Sequence, residues 1–390
     1  MSSAATTVIH SVRLISSGLD RAGAFVVFED GRVLATGTGS GWRQLAGKDA
    51  DVVDGSRYIL APGLIDIHNH GGAGASYGEG ADAIHTATRV HRQHGTTRQL
   101  LSLVTASPEL LISQIGVAAA ETRRDSTILG IHLEGPFLAR EYCGAHDPDL
   151  LRDPDPALVE RLLVAADGTL RQVTMAPERA HFAESARVLQ AAGVVIAAGH
   201  TAATFEQARE AIAAGTTLLT HTFNAMPGVH HRAPGPVLAF AEDSGCWLEI
   251  VNDGVHVRQE LIGMLYRLAP GRVALVSDAM AAAGAGDGKY RIGDLDVDVV
   301  KGVARLTKGH SIAGSTLTLD VAVARAVQQV GLTPRAAIEA ATVVPAQILG
   351  VADQFGRLEA GYAADAVLFD ENWQLCGVWV DGRPVVECEQ

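Results

Sequence analysis

Two textures of hydrophobic patterning divide the chain. From about residue 7 to residue 60, short β-like runs alternate with Gly/Asp turns. Val8–Leu14, Gly23–Phe28 and Arg32–Ala35 are the clearest, followed by Val52-Val53-Asp54 and Tyr58-Ile59-Leu60. Glu29-Asp30-Gly31-Arg32 predicts a hairpin turn in which Gly31 takes a positive φ. No helical period appears in this part, so it reads as a small β module. After Leu60, short apolar runs alternate with longer segments of helical period. The runs are Leu64–Ile67, Thr97–Leu103, Ile128–Leu133, Gln172–Met175, Val194–Ala198, Thr217–Thr220, Trp247–Val251 and Val273–Val276. Helices are expected between most of them, over Ala81–His94, Pro108–Arg124, Pro156–Ala166, Ala180–Ala192 and Thr204–Ala214.

Eight strand–helix alternations predict an α/β chain with a (β/α)8 TIM-like barrel. The structural alternative is an open doubly wound sheet. No Gly-x-Gly-x-x-Gly opens a helix after the first strand, which weakens its dinucleotide-binding form. Past the eighth strand, Ala281–Asp287 is a Gly/Ala loop and Tyr290–Leu306 returns to β alternation. Helices are predicted over about Leu317–Val330 and Pro334–Leu349. The tail reads as strands again at Ala366–Phe369, Cys376–Val380 and Val385–Val386, with Asp381-Gly382 as a turn. Residues 1–60 and 355–390 are expected to build one small β-sandwich module from both chain ends, and residues 61–354 the barrel.

Composition narrows the classes of function. Net charge is −13 and aromatics make up 5% of the 390 residues, which disfavours a nucleic-acid surface. No apolar run reaches the roughly 18–20 residues of a membrane span. Met1–His10 lacks the charged and apolar regions of a secretory signal, so a cytoplasmic place is expected. Cys143, Cys246, Cys376 and Cys388 show no paired spacing and read as free thiols, Cys143 as a bystander.

The strand ends carry the chemistry. In such a barrel, residues at the C-terminal ends of strands face the active site. Strand one ends in His68-Asn69-His70, whose i, i+2 spacing aims both imidazoles one way. Strand three ends in His132-Leu133-Glu134-Gly135-Pro136, strand five in Gly199-His200-Thr201 and strand six in His221. Strand seven leads to Asp253-Gly254-Val255-His256, and strand eight ends in Ser277-Asp278. Buried, unpaired groups of this kind cost several kcal/mol, on the order of 2–7 each. A divalent cation is the least costly way to gather them. Imidazole with carboxylate suits zinc or iron better than magnesium or calcium. Such an ion activates water and polarises a carbonyl. A carboxylate arriving alone, as Asp278 does, can move the water proton to a leaving amine. His85, His91 and His94 are expected on the surface of one helix.

The eight-strand pattern, His-x-His on strand one and a lone Asp on strand eight resemble the amidohydrolase superfamily. The His132-Leu133-Glu134-Gly135-Pro136-Phe137, Gly199-His200-Thr201, His221-Thr222-Phe223-Asn224-Ala225-Met226-Pro227, Asp253-Gly254-Val255-His256 and Ser277-Asp278-Ala279-Met280 stretches are similar to its N-acetylglucosamine-6-phosphate deacetylase branch. Strand four, Val173–Glu178, has no lysine, against a dihydroorotase-like or urease-like site. The resemblance implies that Glu134, His200 and His221 hold the principal metal. Asp278 would be general base and then acid, and His146 would polarise the substrate amide. His68 and His70, with Asp278, would offer a second ion site. Asn224, Ala225, His256 and Arg232 would bind the sugar phosphate, with Arg232 reaching across a homodimer into the neighbouring active site. The loop Gly309–Ser315 would lie over the substrate. The implied activity is deacetylation of a phosphorylated amino sugar in amino-sugar catabolism. The competing expectations are a relative acting on another amide or deaminating an amino-purine, and a non-catalytic binding protein.

Overall fold

A computed structural model describes residues 6–387. Cys388 lies outside them, as does the start of Met1–His10; Cys143, Cys246 and Cys376 are free thiols. Among the described residues no helix is long and apolar enough to cross a membrane. The chain forms two compact units. The first takes residues up to Ile65, His91–Arg98 and everything from Leu319 on; the second takes Asp66–Val90 and Gln99–Thr318.

In the first unit one sheet joins both chain ends. Along it run Arg383–Val386, Leu375–Val380, Ala366–Phe369, Ile59–Pro62, Thr6–Ser16, Leu19–Glu29 and Arg32–Thr38, with Asp51–Asp54 beside Thr6–Ser16. Ile59–Pro62 and Ala366–Phe369 pair antiparallel, and this ladder ties the two ends together. The long strand Thr6–Ser16 changes partner midway. Its first half pairs Asp51–Asp54, then the register shifts around Val12 and its second half pairs Ile59–Leu60. Ser11, at φ 62°, marks the irregularity. The expected hairpin turn is present, with Asp30 at φ 51° and Gly31 at φ 77°.

Two expectations fail in this unit. The helix expected over Pro334–Leu349 is two helices, Pro334–Ala340 and Val343–Ile348. Pro345 has no N–H to give and its ring crowds the carbonyl four residues back. That carbonyl, on Ala341, instead accepts the Ile65 N–H at 2.8 Å. His91 is buried, not on the surface, whereas His85 and His94 do expose much of their rings. Ile84, Ala87, Thr88 and His91 fall at i, i+3, i+4 and i+7, so His91 continues the inward stripe.

Arg98 is among the largest fully buried side chains of the described residues. Its guanidinium grips Asp365 with two bonds, of 2.6 and 3.0 Å, bonds Asp381, and stacks on Phe355 at 4.7 Å. Removing one side of a buried pair leaves an uncompensated charge, at about 3–5 kcal/mol. Arg98→Met therefore lowers the urea unfolding free energy by that amount, and adding Asp365→Asn recovers part of it. An unchanged urea midpoint in Arg98→Met would refute this role.

The eight barrel strands follow one another in chain order. They are Leu64–Asp66, Thr96–Val104, Ile128–Glu134, Leu170–Met175, Val195–Ala198, Leu218–Leu219, Trp247–Val251 and Val273–Val276. Every expected strand is present. Among the described residues no ladder joins the last strand to the first. There Ser277 Oγ donates to Asp66 Oδ2 at 2.6 Å, and the Asp278 N–H donates to the His68 carbonyl at 2.8 Å. The helices start where capping chemistry starts them. Ser107 and Asp155 cap helices that open on Pro108 and Pro156, and Thr204 with Gln207 forms a capping box. A three-stranded sheet, Gly288–Ile292, Leu295–Val300 and Val303–Leu306, follows the barrel.

Candidate metal centre and active site

The strand ends do what their positions predict. Glu134, His200 and His221 bring three ligand atoms together. His200 Nε2 and His221 Nε2 stand 3.1 and 3.0 Å from Glu134 Oε1, and 3.0 Å from each other. Three ligands on one tetrahedral ion at 2.0–2.1 Å would be about 3.3 Å apart, so the triangle fits a small divalent ion. His68 Nε2 and His70 Nε2 lie 3.1 Å apart, and His70 Nε2 is 3.4 Å from Asp278 Oδ1. Glu134 joins the two groups, because its second oxygen lies 3.2 Å from His70 and 3.4 Å from His146. His68, His70 and Asp278 form one cluster of metal-ligand character; Glu134, His146 and His200 form another, with every member buried.

Backbone conformation aims several of these side chains. His200, His221 and Asp278 have φ of 47°, 23° and 48°. Non-glycine residues rarely enter this region, and such positions concentrate at functional sites. Each turns the chain sharply at the end of its strand.

Outer hydrogen bonds settle which ring nitrogen faces the cluster. His68 Nδ1 donates to Glu249 Oε2 at 2.9 Å, His200 Nδ1 to the Tyr142 carbonyl at 2.8 Å and His70 Nδ1 to the Ser102 carbonyl at 3.3 Å. Each leaves the Nε2 lone pair pointing inward, the arrangement metal-binding histidines use. Glu249 also accepts from Gln172 Nε2 and from the His221 N–H. It therefore supports both groups. It is a single acid within the apolar run Trp247-Leu248-Glu249-Ile250-Val251, a signal that sequence reasoning passed over. Asp66 and His132 are further buried polar supports. His132 sits between Ser102 Oγ and Thr174 Oγ1, at 2.9 Å from each.

The electrostatics match a site built for a cation. Burial opposes charge on Glu134, yet the His68 and His200 imidazoles hold its carboxyl well below the usual range. Burial likewise opposes Asp278, and the His70 hydrogen bond outweighs it and keeps the carboxylate ionised. Burial also disfavours the charged His70, but Asp278 and Glu134 raise it to about 9. His146 differs: burial lowers it to about 4, so it is neutral at pH 7. One consequence is measurable. In the metal-free protein His70 keeps its proton below about pH 9, and a metal needs that lone pair. Affinity at the second ion place, which His70 would share with His68 and Asp278, therefore rises as pH rises toward 9, by up to about tenfold per unit for each proton displaced. Chelator competition between pH 6 and 9 reads this, and a flat profile would contradict it.

A cavity of about 380 Å³ opens on the cluster. Asn224, Ala225 and His256 line it, as do Ser311, Ile312 and Gly314 from the loop expected to cover a substrate. Asn224 donates to the His221 carbonyl, and His256 Nδ1 bonds Asp253 at 2.6 Å. Arg232 is not brought to this cavity. It is exposed, and its guanidinium contacts His231 at 2.7 Å. Among the described residues no lysine or arginine lines the cavity.

Comparison with known proteins gives the same picture. Residues 59–385 match the amidohydrolase family. An N-acetylgalactosamine-6-phosphate deacetylase of Escherichia coli O157:H7 is 36% identical, over 83% of this chain and 87% of its own length. An N-acetylglucosamine-6-phosphate deacetylase of Vibrio furnissii is 33% identical, over 93% of this chain and 90% of its own. The solved N-acetyl-D-glucosamine-6-phosphate deacetylase of Mycobacterium smegmatis superposes with a TM-score of 0.91 at 38% identity, over 98% of this chain and all of that one.

Proposed function

The chain belongs to the amidohydrolase family, and we propose that it is a metal-dependent deacetylase of amino-sugar metabolism. It hydrolyses the acetamido group of N-acetyl-D-glucosamine 6-phosphate to glucosamine 6-phosphate and acetate. One observation carries this: the ligand triangle of Glu134, His200 and His221, with Asp278 beside it, faces a cavity sized for a small polar substrate.

Glu134, His200 and His221 would hold the principal ion, zinc or iron by their donor chemistry. His68, His70 and Asp278 offer a second place. Bound there, such an ion would supply Lewis acidity for activating water and polarising a carbonyl. The protein does the rest. Asp278, held ionised, takes the proton of the attacking water and delivers it to the departing amine. His146, neutral at pH 7, donates an N–H to the carbonyl oxygen as charge develops there. Asn224, the Ala225 backbone and His256 position the sugar phosphate.

The phosphate needs a cation. The described lining residues include no lysine or arginine, which favours Arg232 arriving from a second copy of the chain in a cytoplasmic homodimer. Charge-assisted bonds of this kind contribute about 1.5–3 kcal/mol. Arg232→Ala then costs phosphorylated substrate about 10- to 150-fold in kcat/KM and leaves the unphosphorylated sugar nearly unaffected. Equal losses on both would remove Arg232 from the phosphate site.

Acetate release tests the function directly. Metal-loaded protein is assayed with N-acetylglucosamine 6-phosphate, its galacto epimer and unphosphorylated N-acetylglucosamine. The gluco phosphate is expected to lead. Preference for the epimer would move the assignment toward the Escherichia coli relative, and no release from any of them would overturn it.

A further inference from the structure

A second cavity, of about 370 Å³, lies against the same cluster. It shares only His70, Ala145, His146 and Ile292 with the reaction cavity. The rest of its wall is mixed, polar and aliphatic, and carries fewer metal-ligand side chains. The reaction cavity carries Glu134, His200, His221 and Asp278, whereas the second has no such cluster and sets Val104, Ala106, Leu150 and Leu295 among Ser102, Thr105, Ser107 and Asp147, with the half-exposed Leu110 also lining it. Polar groups at its edge are already engaged: Gln114 Nε2 donates to the Gly78 carbonyl, Arg291 bonds Asp294, and Glu79 accepts the Ser76 N–H. The turn between Ile292 and Leu295 contributes to its wall.

The partition between the cavities contains His70 and His146, one from each cluster of metal-ligand character. A carbon attacked within reach of Asp278 and His146 therefore sits at this partition. The sugar phosphate belongs in the cavity lined by Asn224, Ala225 and His256, so the group on the far side of the amide carbon faces the second one. For acetate that group is a single methyl, comparable to one water's share of volume, about 30 Å³. The space beyond is an order of magnitude larger.

We infer that the second cavity is an acyl-chain site, and that the enzyme hydrolyses N-acyl amino-sugar phosphates with chains longer than acetyl, to about six carbons. This rests on the deacetylase reaction proposed above and adds no reagent to it. Water's oxygen bonds the acyl carbon, the C–N bond breaks, and the water proton goes to the amine, giving the longer carboxylate and the same amino-sugar phosphate.

The test compares N-acetyl-, N-butanoyl- and N-hexanoyl-glucosamine 6-phosphate on the metal-loaded enzyme. The longer substrates are expected within tenfold of acetyl in kcat/KM, with KM falling by up to about fourfold per methylene buried. Leu110→Trp and Leu295→Trp fill the cavity from two sides. Each is expected to cost the hexanoyl substrate at least tenfold while acetyl turnover stays level; either variant suffices if the other does not fold. Acetyl turnover with losses beyond a hundredfold on both longer chains overturns the acyl site and leaves the deacetylase assignment standing. Equal losses on acetyl and hexanoyl in the filled variants also overturn it. No turnover of any substrate brings down the deacetylase assignment itself, and the acyl site with it.

Discussion

Asp278→Asn is expected to lower deacetylation by about 10²–10⁴-fold, the range for a positioned acid–base group, while the protein still folds and keeps the ion held by Glu134, His200 and His221. The substitution is a clean one. Asparagine is among the few residues that accept a left-handed backbone, so φ 48° at this position is retained. Its side-chain oxygen can still accept a hydrogen bond from His70. What it lacks is a carboxylate to receive the proton of water and pass it to the amine. Metal analysis and a burst-free steady-state assay on the same preparation separate the two effects. Near-normal turnover would remove Asp278 from proton transfer, and a parallel loss of all metal would make it a ligand first.

Glu134→Gln is expected to empty the principal site and cost at least as much activity. Its oxygens meet His200 and His221 on one side and His70 and His146 on the other. Neutralising it removes the charge that every imidazole here shares. Its counterpart is the double variant His68→Gln, His70→Asn, which is expected to retain one ion per chain and most of its activity. Metal per chain for the two variants then gives a direct answer on one ion or two. Full metal content in Glu134→Gln, or none in the double variant, would reverse the assignment of principal and accessory sites.

Much of this site was readable along the chain for a physical reason. A barrel strand buried on both faces is apolar, so an ionisable group at its end stands out and its direction is known. His68, His70, Glu134, His200, His221 and Asp278 were each found this way, and the structure gathers them. What escaped was set by partners distant in sequence or by position within a strand. Glu249 lies mid-strand, where an acid looks like an interruption of a strand and not part of a site. Arg98 meets Asp365, 267 residues away, and no local pattern announces it. The break at Thr342 depends on Pro345 denying a hydrogen bond to a carbonyl that Ile65 then takes up. Arg232 stands outside its expected cavity, exposed beside His231.

The left-handed ends of three strands set evolvability against chemistry. A non-glycine residue there sits about 1–2 kcal/mol above relaxed backbone. Glycine at 200, 221 or 278 would relieve this and delete a proposed ligand or the proposed proton carrier. Selection for thermal resistance alone would therefore drift toward inactive barrels at these positions, while selection for turnover holds the strain in place. Variant libraries of this enzyme sorted by stability and by hydrolysis should disagree most sharply at these same turns.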